Sequence, residues 1–265
     1  MEVRVSELLV DDAGGVRTFT FNRPESFNAF TVGLKVAFLE ALKETAADPS
    51  VRAVVITGAG RAFCAGQDLK EHIGLLQAGD PAPLNTVELH YNPIVRELIG
   101  MPKPVIAAVN GSAAGAGASF AYAADLRIAG ESAKFLMAFA NVGLTADSGA
   151  SWTLPRLIGH GRAMEMMLLA QPVGAEEALR IGMVNQVVPD ADLLPTAHAL
   201  AARLAAGPTT AYAKIKEALA SAADGTLEDA LEAERRTQAD CGATEDHREA
   251  VDAFVTKRAP KFTGR

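Results

Sequence analysis

Two glycine-bearing turns carry the clearest chemistry in this sequence. The first is Phe63-Cys-Ala-Gly-Gln-Asp-Leu69, shortly after an apolar run ending at Ile56. Gly66 tolerates backbone torsions that other residues resist, so the N–H of Gln67 is free to point away from a sheet. The same segment also reads as an ordinary strand-to-helix turn capped by Asp68. The second is Asn110-Gly-Ser-Ala-Ala-Gly-Ala-Gly117, which opens a helix after another apolar run. The N–H of Ala116 falls in the first helical turn, where amides lack intrahelical partners and the helix dipole favours negative charge. A tight helix-packing turn is the alternative there. Together the two turns predict a pair of backbone donors converging on one oxygen. Each donor aimed at a developing oxyanion lowers a barrier by about 2.7–4 kcal/mol.

Other reaction classes lack their residues. His72, His90, His160, His198 and His247 are scattered, with no H-E-x-x-H pair and no Cys-x-x-Cys, so neither a metal site nor a bound cofactor is expected. Gly58-Ala-Gly60-Arg-Ala-Phe63 begins like a dinucleotide fingerprint but places Phe63 at the third glycine position, and there is no phosphate-cradling G-x-x-x-x-G-K-[ST]. The contexts of Ser112 and Ser148 are not G-x-S-x-G. Cys64 has no visible basic activator and reads better as a small buried hydrophobe than as a nucleophile.

The elements that must position these turns follow from periodicity. Val16–Phe21 alternates and is rich in β-branched and aromatic residues, a strand ended by Asn22-Arg23-Pro24. From Thr31, a plausible N-cap, Leu34, Phe38, Ala41, Leu42 and Thr45 recur at helical spacing as far as Asp48-Pro49. Val51–Ile56 and Pro104–Val109 are nearly continuous apolar strands, the kind buried on both faces. Between them, residues 71–88 read as a long polar loop, a lid or a mobile insertion. Small residues from Gly115 to Ala124 make a close-packing helix, and Leu126–Ala129 a further strand. Beyond Leu193 the pattern is helical only, with three helices expected over 193–204, 208–220 and 227–236. The division predicted is an α/β core over 1–195 and a helical region over 196–265, which needs a partner surface, its own core or another subunit.

Composition bounds the answer further. The chain has 265 residues, and 25 Lys+Arg against 32 Asp+Glu give a net charge of −7, which argues against a nucleic-acid partner. The longest unbroken apolar stretches fall far short of a membrane span. Met1-Glu2-Val3-Arg4 lacks a basic region followed by an apolar one, and two cysteines exclude a disulfide framework. A cytoplasmic globular protein is expected.

Asn22-Arg-Pro-Glu25 with Asn28-Ala29, Phe63–Leu69 and Val109–Gly117 together resemble the enoyl-CoA hydratase/isomerase (crotonase) superfamily, across essentially the whole chain. The resemblance implies an α/β spiral of ββα repeats, a C-terminal helical region used for trimerisation, and an acyl-CoA thioester substrate in which coenzyme A is part of the substrate. It implies a homotrimer or a dimer of trimers. It places the thioester oxygen between the amides of Gln67 and Ala116. Ala65, Asp68 and Leu69 would run beside the pantetheine arm, with Ala29, Gly115 and Phe139 also at the substrate. Arg23, or Lys257 from a neighbouring chain, would meet the phosphates.

Hydratases of this family use two glutamates, whose places are taken here by Ser119 and Phe139. Water addition needs one group to activate water and one to deliver a proton. Serine does neither well near neutral pH and phenylalanine does neither at all. What remains is Asp147 in Gly143-Leu-Thr-Ala-Asp-Ser-Gly149, which reads either as the N-cap of the helix carrying Trp152 or as an acid/base. Several isomerases of the superfamily that the chain resembles place their single catalytic aspartate or glutamate in this turn. Gly58–Leu69, Tyr91-Asn-Pro93, Ala133–Phe139 and Lys257–Gly264 are similar to the isomerases of phenylacetate catabolism in that family, with Ala146 where a proline is usual and Gly149-Ala150 where Gly-Gly is usual. The resemblance thus implies an isomerase that shifts a double bond from 3-enoyl-CoA to 2-enoyl-CoA, or rearranges ring-1,2-epoxyphenylacetyl-CoA to its oxepin. The mechanism it suggests is a one-base shuttle: Asp147 takes the γ-proton and returns it on the α-side or its mirror position. Met137, Phe139 and the bulky residues around Trp152 would wall a water-poor acyl pocket, although Phe139 reads equally well as core. A hydratase of relaxed mechanism and a catalytically silent CoA-binding relative are the alternatives.

Overall fold

The computed structural model describes residues 6–265. Met1–Arg4, read above for a leader pattern, lie outside them. The described chain enters with a hairpin of β1 (Leu8–Ala13) and β2 (Val16–Phe21), closed by Gly14-Gly15 with φ of 58° and 80°. Positive φ at both turn residues suits the twist of the flanking strands. Helix α1 (Val32–Ala47) follows, capped by Thr31, whose Oγ1 accepts from the Leu34 amide at 3.0 Å.

Three successive pairs of strands then build two sheets. The first is β3 (Ala53–Gly58) and β4 (Ala62–Cys64), followed by α2 (Leu69–Gln77) and α3 (Asn92–Gly100). The second is β5 (Val105–Val109) and β6 (Ser112–Ala114), followed by α4 (Ala116–Ala123). The third is β7 (Leu126–Gly130) and β8 (Lys134–Leu136), followed by α5 (Ala150–Ile158) and α6 (His160–Leu169). After these come β9 (Val173–Gly174), α7 (Ala175–Arg180) and β10 (Gln186–Val188). The long strand of each pair joins a six-stranded sheet in the order β1-β2-β3-β5-β7-β10, and the short one a four-stranded sheet in the order β4-β6-β8-β9. The repeats therefore climb as a spiral of ββα turns.

The continuous apolar strands are buried on both faces. Val54, Ile56, Val105, Ala107 and Val109 enter the larger core with α1, α3 and α4. Their neighbours Ala53, Val55, Ile106 and Ala108 face the other way, onto α8 (Leu193–Ala205). Ala197, Ala201 and Ala205, four residues apart, form the buried stripe that lets α8 approach the sheet closely. The remaining helices are α9 (Thr209–Asp224), α10 (Leu227–Gly242) and α11 (Glu245–Val255). No helix among the described residues is long and apolar enough to cross a membrane.

Two expectations are corrected. Residues 71–88 are not one loop: α2 extends to Gln77, and a π-helical turn begins at Val87. Asp68 starts α2 by accepting from the amides of Lys70 and Glu71, while its apolar residues Leu69, Ile73 and Leu76 are exposed, so no buried stripe announces the helix. The C-terminal region also has four helices rather than three, because the charged stretch beginning at Glu245 forms α11 (Glu245–Val255).

Candidate active site

The two glycine turns lie side by side because β4 and β6 are parallel neighbours, with Cys64 opposite Ala113. After β4 the chain passes through Gly66 at φ +89°, and after β6 through Gly115 at φ +50°, into the first residue of α4. A Cβ on Gly66 would stand 2.9 Å from the Ala114 carbonyl oxygen and 3.5 Å from the Ala116 nitrogen. One on Gly117 would meet the Cys64 carbonyl oxygen at 2.3 Å. Only residues without side chains permit this approach. The Phe30 amide donates to Gly66 O at 2.7 Å and the Asp68 amide donates to Phe30 O at 3.1 Å, which bolts the Gln67 peptide to Phe30. The amides of Gln67 and Ala116 have no acceptor among the described residues. Two free donors thus sit on adjacent turns.

Asp147 lies between the 3-10 turn Ala138–Val142 and α5. It is not the helix cap: Gly149 occupies that place with no side-chain hydrogen bond. Its carboxylate accepts instead from Ser148 Oγ at 2.8 Å. Burial raises its pKa above the ordinary 3.8, against the opposing pull of the Ser148 hydrogen bond and the Lys35 charge. The turn rests on α3, where a Cβ on Gly149 would come within 2.9 Å of Val95 Cγ1.

The two positions where a hydratase of this kind would carry glutamates are closed to acid–base work. Ser119 is fully buried and donates to the Gly115 carbonyl at 2.9 Å. The Phe139 ring comes within 3.8 Å of where a Cβ on Gly115 would stand, so it borders the second turn. Met137, expected in the acyl pocket, is instead fully buried in the core. Trp152 is half-buried under the Arg156 guanidinium, 4.0 Å from its ring centroid.

Of the remaining expected contacts, Ala65 and Leu69 are exposed beside the first turn, and Ala29 is buried behind it. The Asp68 carboxylate is committed to capping α2 and to an ion pair with Arg23 at 2.8 Å. Arg23 also pairs with Glu7 at 3.1 Å and donates to the Ala29 carbonyl at 2.6 Å. It braces the turn, which corrects the expectation that it is free to meet phosphates. Lys257 is exposed just past α11, and no hydrogen bond or ion pair among the described residues links it to the turns. Cys64 is fully buried, and burial pushes its thiol up, which removes the nucleophile reading.

A polar cluster beside Gln67 escaped the sequence reading. Lys35 Nζ donates to Gln67 Oε1 at 3.2 Å and to Thr86 Oγ1 at 2.7 Å, and lies 5.1 Å from the Tyr91 ring centroid. The Tyr91 hydroxyl donates to the same Gln67 Oε1. His90 Nδ1 is 3.1 Å from Thr86 Oγ1. The available signal was a lysine between Leu34 and Phe38 on the apolar face of α1.

The comparisons with known proteins bear on the family and the fold. The family described as enoyl-CoA hydratase/isomerase matches residues 11–265. A 1,2-epoxyphenylacetyl-CoA isomerase of Escherichia coli K12 is 47% identical over 253 residues, covering 95% of this chain and 96% of that one. A short-chain-enoyl-CoA hydratase of Clostridium acetobutylicum is 34% identical, covering 97% of each chain. The crystal structure of an enoyl-CoA hydratase from Bacillus anthracis superposes with a TM-score of 0.92 at 32% identity, over 98% of this chain and 100% of that one. By sequence and by its spiral of crotonase type, the chain belongs to the enoyl-CoA hydratase/isomerase family.

Proposed function

We propose that the protein is an acyl-CoA isomerase in which Asp147 is the acid/base and the amides of Gln67 and Ala116 hold the thioester oxygen. In a 3-enoyl-CoA the acidic hydrogens are on C2, between the carbonyl and the double bond. Asp147 as carboxylate takes one of them, and the C–H electron pair passes into a dienolate whose oxygen accepts from the two free amides. The resulting carboxylic acid returns the proton to C4, so the double bond moves from C3–C4 to C2–C3 with no atom gained or lost. This α-to-γ direction replaces the γ-to-α direction read from the sequence, because C4 of a 3-enoyl thioester is vinylic and holds no acidic hydrogen.

The observation that carries this reading is a half-buried carboxylate, raised in pKa by burial, just ahead of α5, which packs on the helix that Ala116 begins. The two turns offer two amides without acceptors, and the one carboxylate within them, Asp68, is committed to Arg23 and to capping α2. A raised pKa improves the match of an aspartate to proton transfer in both directions. The rearrangement of ring-1,2-epoxyphenylacetyl-CoA to its oxepin is the second substrate class, supported by the similarity to the Escherichia coli isomerase. On this reading Ala65, Leu69 and Gly115 contact the thioester and pantetheine, and Phe139 borders the acyl group. The exposed apolar residues of the C-terminal helices, Leu227, Leu231, Phe254 and Val255 among them, fit a subunit interface, as in a homotrimer or a dimer of trimers. Asp147→Asn, assayed with 3-enoyl-CoA and 2-enoyl-CoA, tests the reading.

A further inference from the structure

The buried face of α1 is apolar at Leu34, Phe38, Leu39 and Leu42, yet Lys35 sits among them with no exposed surface. Among the described residues no carboxylate lies within ion-pairing distance of it; its hydrogen-bond acceptors are the neutral Gln67 Oε1 and Thr86 Oγ1. An ammonium taken out of water without a paired carboxylate carries a desolvation penalty that a methionine in the same space would avoid. Packing alone therefore does not account for this residue. Its surroundings do: it holds the side chain of Gln67, whose amide has no acceptor, and it lies 5.1 Å from the ring centroid of Tyr91, one helical turn before Val95, against which the turn of Asp147 rests at Gly149.

We propose that Lys35 is a positioning residue of the site, its ammonium clamping Gln67 and serving as the fixed positive charge beside which Asp147 exchanges its proton. This rests on the reading of Asp147 as the acid/base. When Asp147 takes the C2 proton, one negative charge leaves the carboxylate and appears on the thioester oxygen beside the Gln67 amide. A fixed cation within reach of both places stabilises the site before and after that displacement. Burial lowers the Lys35 pKa, and the charges of Glu71, Asp147 and Asp68 oppose this.

The other groups around Asp147 are accounted for. Ser148 donates to it, and Tyr91 precedes α3 with its phenol pushed up by burial and further by the Asp147 charge. His90 is lowered by burial and by Lys35. On the packed helices, α4 has no charged residue, α3 brings Arg96 and Glu97, and α6 brings His160, Arg162 and Glu165. Of all these, Lys35 is the charge that shifts Asp147.

The test is the pH profile of kcat/KM for 3-enoyl-CoA isomerisation in Lys35→Met and Lys35→Gln. Removing the cation raises the pKa of Asp147, so the acid limb moves to higher pH, by about one unit, in both variants. Lys35→Met, which leaves Gln67 Oε1 to the Tyr91 hydroxyl alone, lowers kcat further; Lys35→Gln retains a hydrogen-bond donor there and isolates the charge. A folded neutral variant with an unmoved acid limb overturns the proposal. So does a neutral Lys35 amine at pH 7 in the unsubstituted protein, read by nitrogen-15 NMR, which decides the matter if neither variant folds. Full activity in Asp147→Asn would instead overturn the acid/base reading, so the two failures are distinct.

Discussion

Gly66 and Ala116 are packed so closely that a methyl group on the first would stand 3.5 Å from the amide nitrogen of the second. That approach places the free N–H groups of Gln67 and Ala116 on adjoining turns, and it depends on a glycine at φ +89°. Gly66→Ala therefore forces the Gln67 peptide to shift. The expected result is a fall in kcat of about 10²–10³-fold, the magnitude of losing one oxyanion donor. The thermal midpoint should record a cost of about 1–3 kcal/mol from the strained backbone.

Asp147 should lower stability in order to work. Its folded pKa is raised by burial above the unfolded value, so its ionisation favours the unfolded chain at any pH above the ordinary 3.8. Asp147→Asn is thus expected to melt higher than the unsubstituted protein at neutral pH. The difference should shrink as the pH falls below about 4, where the carboxyl is protonated in both states. Calorimetry across pH checks both halves.

Asp68 has the opposite sign. Burial alone would raise its pKa, but the Arg23 hydrogen bond and the amides of Glu71 and Lys70 outweigh this and hold it low. Its contribution to stability is present above the unfolded pKa and lost as the pH falls through the folded one. Arg23→Met leaves this buried carboxylate short of a partner and should cost about 3 kcal/mol at pH 7. Because the pair braces the turn carrying Ala65 and Leu69, KM for the CoA thioester should rise as well.

Hydration should be the minor reaction. Ser119 is tied to the Gly115 carbonyl and Phe139 has no proton to give, so neither of these positions offers a water a second acid–base group. With crotonyl-CoA the unsubstituted protein should form 3-hydroxybutyryl-CoA at about 10²-fold or more below its isomerisation rate. Comparable rates would contradict the assignment of these positions. Introducing glutamate at both Ser119 and Phe139 should raise hydration relative to isomerisation.

The parts of this fold that were legible in the sequence are those with enough residues to show a period. Val16–Phe21, Val105–Val109 and the helix Ala116–Ala123 form where their patterns placed them. The second sheet was not legible, because β4, β6 and β8 have three residues each, too few for alternation to register. Helix α2 hid because its apolar residues face outward, and α11 because it is strongly charged. In the site, the glycine turns were readable as local motifs. The Lys35–Gln67–Tyr91 cluster was not, since it joins residues 32 and 24 positions apart through tertiary packing alone. The sequence leaves Asp147 either a cap or an acid, and the structure removes the first reading because Gly149 occupies the capping place.

The most direct measurement is the isomerisation rate of Asp147→Asn on 3-enoyl-CoA, with binding of a saturated acyl-CoA measured in parallel. Loss of a positioned acid/base predicts a fall in kcat of about 10²–10⁴-fold while the thioester still binds. A variant that isomerises 3-enoyl-CoA at close to the original rate would contradict the account.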